Sequence, residues 1–464
     1  MKRNIIILAL CSLFLVPVSA QETTAKQAKK EAVVSHLKQH FKPYGFIRNY
    51  FAFDSRESWS GTGDLYNFQP KDEKLNAFGD DLNAQSTFRF LSLTTRLGLN
   101  IVGYQWRNTQ FGAKIEADFY AGLSTKGSGT HSVSGVAQFR LRQAYLTLTW
   151  DSLKMGKDFA RVDLLIGQAW HPIAADLCDA IALNSGAPFG PFSRTPQVTM
   201  NARLGKYVTL TAAGIWQMQY LSIGPDGQSA EYMLYGKTPE AYLGLSFHDK
   251  GFLMRLGADV LSIKPRHLGT VDDPALGTVQ VKVSDRITTA SPFIYLQYKK
   301  DGFSIKAKSI FAEAGEHMNM NGGYGVKAVN ADGSYAYTPT RTSSSWISLV
   351  YGGKVGKQEE KHPQTLQGIL FGGFVHNFGT KDALATNPDG SFVGYYYPRS
   401  NAMNNMWRLS PTIVWTIGKF QLGLEYEITS VQYGKGALND HGLARNNLHW
   451  ITNHRVQLMT KYNF

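Results

Sequence analysis

Charged side chains placed at alternate positions inside apolar segments are where this sequence could do chemistry. The basic set is Arg48, Arg96, Lys114, Arg255, Lys299, Lys306, Lys308, Arg408, Arg455 and Lys461. The acidic set is Asp54, Glu116, Asp118, Asp163, Asp259, Glu425 and Glu427. A Lys or Arg facing lipid at the midplane costs ~2–4 kcal/mol, so these faces need water. Charges that face one another across water select ions, and rings of Lys and Arg favour anions. Asp176, Asp179 and Arg194 form a second group within 172–196, where Pro172, Pro188, Pro191 and Pro196 restrict the backbone. Opposed acids and bases in such a segment would set up a transverse field that orients dipolar solutes. Arg194, Asp176, Asp179, Lys306, Lys308, Arg255, Arg48 and Lys114 are therefore the candidates for lining and narrowing a pore.

Other chemistry finds less support. A lipase built on a barrel needs a Ser–His pair with an orienting Asn or acid. His376 and His454 are present, but no spacing fixes a triad. His441, His449 and His454 lie too far apart for a metal site and read as solvated loop histidines. The Gly/Ser loop from Gly122 to Gly129 cannot cradle phosphate, because no helix follows it. Tyr395, Tyr396 and Tyr397 suit a sugar contact or, better, an aromatic girdle. The expectation is no enzyme, no cofactor and no metal.

These charges must be positioned by strands. In one segment Phe111, Ala113, Ile115, Ala117 and Phe119 alternate with Lys114, Glu116 and Asp118. In others Met254, Leu256, Ala258 and Val260 alternate with Arg255 and Asp259, and Leu422, Leu424, Tyr426 and Ile428 with Glu425 and Glu427. Period two means a strand with one apolar and one polar face. Sixteen strands are expected, at about 44–54, 86–104, 110–122, 137–150, 160–171, 197–204, 207–221, 239–249, 251–264, 288–300, 302–314, 343–353, 365–379, 406–418, 419–433 and 454–464. In the segment 137–150, Arg140 and Arg142 share parity with Leu146, Leu148 and Trp150, so either a bulge switches faces between them or the register there differs.

Short and long connections alternate. Gly205-Lys206, Asp249-Lys250-Gly251, Asp301-Gly302 and Gly418-Lys419 are tight turns, whereas 55–85, 172–196, 222–238, 265–287 and 315–342 are long. Tight periplasmic turns and long external loops are the pattern of an outer-membrane barrel. A soluble sandwich has no reason to collect its long loops at one end. The expected fold is all-β: a transmembrane antiparallel β-barrel of about sixteen strands over 44–464, with an N-terminal periplasmic segment over 21–43 that is an amphipathic helix or a flexible tail. The segment 172–196 is its third external loop, folded inward.

The two ends agree. Val456, Leu458, Thr460, Tyr462 and Phe464 form the apolar face of the last segment, which resembles the closing strand of an outer-membrane barrel. The resemblance implies that Phe464 is read by the barrel assembly machinery. Lys2 and Arg3 precede an apolar run from Ile5 to Val16 and then Val18-Ser19-Ala20, so 1–20 reads as a signal peptide cleaved near Ala20. The run is shorter than the ~20 residues of a membrane-spanning helix. Its removal takes the net charge from +13 to +11 and leaves Cys178 as the one cysteine, so no internal disulfide can form. Basic residues are spread along the strands rather than clustered, which favours a lined cavity over a nucleic-acid patch.

Two stretches carry a more specific resemblance. Gly167-Gln168-Ala169-Trp170-His171-Pro172, continued by Asn184-Ser185-Gly186-Ala187-Pro188-Phe189 and Arg194-Thr195-Pro196-Gln197, is one; Tyr44-Gly45-Phe46-Ile47-Arg48-Asn49-Tyr50-Phe51-Ala52-Phe53-Asp54-Ser55-Arg56 is the other. Both resemble the porins of Bacteroidetes related to the DcaP-type dicarboxylate porins. That implies a homotrimeric diffusion porin in outer-membrane lipid and lipopolysaccharide, passing small hydrophilic and preferentially anionic solutes. Such porins carry an N-terminal coiled-coil helix, for which 21–43 is short. The rival readings are a substrate-specific sugar channel, a surface receptor or adhesin with a filled barrel, and an outer-membrane lipase. A plugged transporter is excluded, because the mature chain cannot supply both a plug and 22 strands.

Overall fold

Alternating segments joined by tight turns have one way to satisfy every backbone group, which is to pair in sequence and close on themselves. The chain does this. A computed structural model describes residues 31–464 except 32–33, 36, 62–65, 93, 125–130, 156–157, 182–185, 357–361 and 398–402. The expected signal peptide lies outside the described residues, as do Asn184 and Ser185. Glu31, Val34, Ser35 and the residues from Leu37 to His40 are helical. His40 then meets the Val102 carbonyl at 2.7 Å.

The barrel strands are β1 Phe41–Asp54, β2 Thr87–Leu91 continued by Arg96–Trp106, β3 Thr109–Ser124, β4 His131–Met155, β5 Asp158–Trp170, β6 Arg194–Leu204, β7 Val208–Ile215 and β8 Glu240–Asp249. They continue as β9 Phe252–Ile263, β10 Ile287–Lys300, β11 Phe303–Glu313, β12 Tyr335–Val355, β13 Gln364–Thr380, β14 Met403–Ile417, β15 Phe420–Lys435 and β16 Asn446–Asn463. Each pairs antiparallel with the next, and β1 pairs with β16 from Phe46↔Asn463 to Asp54↔Arg455. That is a closed barrel of sixteen antiparallel strands. Asp301 and Gly302 both have positive φ, as a two-residue hairpin twisted to suit its strands requires. The chain end is seated locally: Phe464 N–H donates to Gly45 O at 3.1 Å, and a Cβ on Gly45 would lie 2.4 Å from the Phe464 ring.

The faces follow the alternation. Leu256, Val260, Ile294, Leu296, Ile413, Leu424, Val456 and Tyr462 are exposed on the outside, and Asp259, Glu425, Glu427, Arg455 and Gln457 are buried inside. β4 carries the bulge. Glu116 opposes Gln143 while Ala117 opposes Leu141, so Arg142 is the extra residue. On one side of it Phe139 and Leu141 face out; on the other Leu146 does, which lets Arg140 and Arg142 turn inward with Gln143.

Several expectations are corrected. β4 and β12 run well past 137–150 and 343–353, because strand pairing continues beyond the segments of apolar alternation. β7 ends at Ile215 rather than at 221, and Trp216 instead donates to Pro196 O. Tyr395 and Tyr396 are not girdle residues. They form a short strand that pairs with Tyr324–Val329 at the long-loop end, and Tyr395 donates to Gly442 O.

Candidate functional site

The third long connection folds into the barrel and lies flat against one wall. Its apolar anchors are Ile173, Cys178, Ile181, Phe189 and Phe192, all buried. Two of them sit over glycines of the wall. A Cβ on Gly373 would be 2.5 Å from the Phe189 ring, and one on Gly423 would be 2.5 Å from Ile181 Cδ1. Removing a side chain from the wall at those two points makes sockets that a larger residue would fill. Around them Tyr242, Phe293, Tyr295, Trp346, Phe371, Met403 and Met406 complete an apolar core inside the lumen, along β8 and β10 to β14.

Polar groups of the same wall hold the loop backbone. Lys306 Nζ donates to Asp179 Oδ1 at 2.7 Å and to Leu177 O at 3.2 Å. Lys308 Nζ donates to Ile173 O. Glu425 accepts from Ile181 N–H at 2.7 Å, Ser344 Oγ donates to Phe189 O at 2.8 Å and Arg408 Nη1 donates to Ala187 O at 3.1 Å. Asp176 faces Arg255 at 3.6 Å. Burial in this packing pushes the Cys178 thiol up to about 12, which makes it a poor nucleophile.

The opposite wall, β1 to β4 with β16, is charged. Arg140 makes a bidentate pair with Asp118 at 2.9 and 3.0 Å. Arg142 bridges Glu116 at 2.9 Å and Asp118 at 2.7 Å. Arg96 and Lys114 each stand 3.8 Å from Glu116. Arg48 donates to Thr94 Oγ1 and lies over Phe46 and Tyr50, and Lys461 lies 4.5 Å over Phe46. In the cluster around Glu116 and Asp118 six cations thus meet two carboxylates, a surplus of four positive charges, while Asp54 on the same wall is held by Arg89 and Arg455. Arg96, Lys114 and Arg140 keep 22–24% of their side-chain surface open.

The structure therefore divides the predicted site residues. Arg48 and Lys114 lie on the charged wall. Asp176, Asp179, Arg255, Lys306 and Lys308 tie the inward loop to the packed wall, and Lys308 is only 3% exposed. Arg194 is buried at the loop's far end, stacked on Trp170 and Phe192 and donating from Nε to Gln219 Oε1 at 3.0 Å. Lys308 and Arg194, both expected to line or narrow a pore, are thus buried rather than open to the lumen. Lys299 is exposed beside the Asp301-Gly302 turn. Arg140 and Arg142 were not among the candidates, although the conflict of parity in β4 marked them.

The inward loop is not alone. Asn67, Phe68 and Gln69 of the first long connection are buried in the lumen, where Arg408 Nη2 donates to Asn67 O at 2.6 Å and Tyr433 OH meets Gln69 and Pro70. Met318 and Met320, after β11, join the apolar core, and Phe192 N–H donates to Met318 O. Nothing in the composition of 55–85 or 315–342 separates an inward segment from an external one.

At the long-loop end four further side chains converge. His171 follows β5, Glu240 opens β8, Asp259 lies in β9 and His317 sits in the short turn Gly315–Met318. All are at most 2% exposed. Burial disfavours charge on His317, and the Glu240 and Asp259 carboxylates outweigh it, raising its pKa well above the ordinary histidine range. His376, considered for a lipase, has its Nδ1 2.6 Å from Asn405 Oδ1, and among the described residues no serine hydroxyl bonds to it.

Solved structures share this architecture. The outer membrane channel DcaP of Acinetobacter baumannii is similar over 91% of this chain and 97% of that one, with a TM-score of 0.58 and 19% identity. The anion-selective porin from Comamonas acidovorans follows at a TM-score of 0.47 and 10% identity, over 91% and 99% of the two chains. OmpT, an outer membrane protein of Vibrio cholerae, stands at 0.46 and 10%, over 91% and 97%. At such identities the likeness is one of fold. Neither a family model nor a curated protein matches the chain.

Proposed function

We propose that the chain is an outer-membrane porin through which small hydrophilic solutes, preferentially anions, diffuse along the charged wall. The observation that carries this reading is the surplus of four positive charges in the cluster around Glu116 and Asp118, facing a wall whose own charges are paired with the inward loop. The likeness in fold to an outer membrane channel supports it. Single-channel recording in planar bilayers with a salt gradient is the test. A reversal potential of anion-selective sign is expected; a cation-selective pore would overturn the selectivity.

In this reading residues 1–20 are removed on export, the long loops face outside, the protein sits in outer-membrane lipid and lipopolysaccharide as a homotrimer, and Phe464 is the signal to the barrel assembly machinery. Epitope tags in 222–238 and 315–342 should be reached by antibody on intact cells, and tags at Gly205-Lys206 and Asp301-Gly302 should not. Deleting Phe464 should lower the yield of heat-modifiable barrel in the outer membrane, and an unchanged yield would make it an ordinary interfacial aromatic.

Two rivals meet specific observations. The apolar core inside the lumen gives a filled-barrel receptor or adhesin some footing, and absence of any conductance would favour it. A sugar channel needs an open row of aromatics. The row Tyr242, Phe293, Tyr295, Trp346 and Phe371 exists, but all five are buried beneath the inward loop, which speaks against that reading.

A further inference from the structure

His171, Glu240, Asp259 and His317 come from four separated parts of the chain and bring two imidazole nitrogens and two carboxylates into one buried space. Ligand atoms of His171, Glu240 and Asp259 all lie within 4.8 Å of one another. His171 Nε2 is 2.6 Å from Glu240 Oε1 and 3.6 Å from Asp259 Oδ1. His317 Nε2 is 3.3 Å from Glu240 Oε1 and 3.7 Å from Asp259 Oδ2. A tetrahedral ion with bonds of about 2.0 Å sets its ligands about 3.3 Å apart. Three of the four separations are within a few tenths of an ångström of that edge, the two at Asp259 through different oxygens, so the carboxylate would turn to offer one atom to both imidazoles. The fourth is a direct His171–Glu240 contact that would open by about 0.7 Å to reach it.

The unmet bonding also points to a ligand. Glu240 Oε2, Asp259 Oδ1 and His317 Nε2 are buried with no hydrogen-bond partner. A buried polar atom without a partner carries a desolvation penalty of about 1–3 kcal/mol, so three in one space call for an occupant. His317 is oriented as metal ligands are: its Nδ1 meets the Ala314 carbonyl at 3.0 Å, an arrangement that turns Nε2 toward the carboxylates. His171 differs. Its Nδ1 accepts from Ile173 N–H at 3.3 Å, a long contact that coordination through Nε2 would break.

We propose that these four side chains bind one divalent transition-metal ion, with Zn2+ the best match to two imidazoles and two carboxylates in a closed tetrahedral set. Two carboxylates and one divalent cation leave the buried site neutral. His171 is the first residue of the inward loop, Glu240 and Asp259 belong to the wall, and His317 begins the segment that carries Met318 and Met320 into the core. The ion would therefore clamp the loop's entry to the barrel and to the neighbouring loop. It acts on structure and takes no part in solute passage, so the test does not depend on conductance.

The experiment uses the full chain without a polyhistidine tag, purified from membranes in detergent and dialysed against EDTA. Titration with ZnCl2 is followed by calorimetry, and metal content is measured by mass spectrometry. The expected result is one ion per chain and a rise in the unfolding temperature. Cobalt(II) at the same site should show the intense visible absorption of tetrahedral coordination. Asp259→Asn and His317→Gln should each weaken binding by more than about 100-fold, since loss of even a residue that only hydrogen-bonds a metal ligand costs about 10–100-fold. The exposed His362→Gln serves as control and should bind as the wild type does. Folding of each variant is checked by heat-modifiable mobility. Folded wild type that takes up no stoichiometric Zn2+ overturns the proposal and leaves a network of shared protons. So does binding that survives both substitutions, or a cobalt spectrum of octahedral type.

Discussion

The two walls of the lumen solve one problem in opposite ways. From β10 to β15 the inner face is covered by the inward loop: Ile181 and Phe189 fill sockets at Gly423 and Gly373, and wall lysines donate hydrogen bonds to the loop backbone. From β1 to β4 the inner face is charged and in part open, with cations in excess over the carboxylates that hold them. Sequence alternation alone treats a lysine on either wall as the same thing. The comparison teaches that a lumen-facing charge stays open to the lumen only where nothing is packed over it. Lys306 and Lys308 face inward, as expected, but what they face is the inward loop.

The largest expected effect comes from breaking the charged wall at its best-buried point. Arg142 is 6% exposed and is shared by Glu116 and Asp118, themselves 4% and 0% exposed. Removing one partner of a buried ion pair costs about 3–5 kcal/mol, because the remaining charge is stranded. Arg96 and Arg140 still attend the two acids, so Arg142→Ala should fall at the lower end of that range. Lys306→Ala on the packed wall leaves Asp179, already 30% exposed to solvent, and should cost about 1 kcal/mol or less. Denaturant unfolding of the two refolded variants ranks them. Equal losses would mean that the two walls do not differ in this way.

A smaller effect follows from filling a socket. Gly423→Leu puts a side chain where Ile181 now sits, and overpacking of this kind costs about 1–3 kcal/mol. The barrel can shed that strain by releasing the loop, because the anchor is a loop residue and the wall is a paired strand. Cys178, buried and with its thiol pushed up to about 12, reports the release. Wild type should react slowly with a thiol reagent. Gly423→Leu should react faster and show a larger conductance. Slow labelling with unchanged conductance would show that the loop tolerates the change by repacking.

Much of this architecture was legible in the sequence, and the reasons are local. Lipid on one side and water on the other impose period two, and tight turns mark the strand ends, so sixteen strands could be counted from 44 to 464. Even the bulge at Arg142 showed itself, as a clash of parity between Arg140 and Leu146. The rest depends on contacts between distant segments. That Phe68 and Met318 enter the lumen, or that His171 meets Glu240, Asp259 and His317, is decided by closure of the barrel. Glycines at 373 and 423 look like any strand glycine until the loop is placed on them. The ends of β4 and β12 were misjudged because pairing outlasts the apolar alternation that marked them.

The smallest change in stability should give the cleanest separation of the walls. Lys461 is half-buried above Phe46, and Lys114 is 24% exposed at 3.8 Å from a Glu116 that Arg142 already holds. Lys114→Glu with Lys461→Glu alters the wall's charge by four without touching a socket or the inward loop. Lys114 and Lys461 are themselves partly open to solvent, and Arg96 and Arg142 remain on Glu116 to offset the new carboxylate, so the barrel should lose less than about 1 kcal/mol per site. Its effect on ions is larger, because an ion passing within the Debye length of ~8 Å still feels the wall's charge. The surplus of four positive charges in the cluster around Glu116 and Asp118 would be cancelled. The reversal potential should move towards cations while single-channel conductance stays close to that of the wild type. Lys306→Glu is the matched change on the packed wall. It places a carboxylate beside Asp179, repels the loop, and should alter conductance and Cys178 reactivity more than ion preference. If instead Lys306→Glu shifts the reversal potential as far as the double change does, the solute path runs along both walls, and the division drawn between them fails.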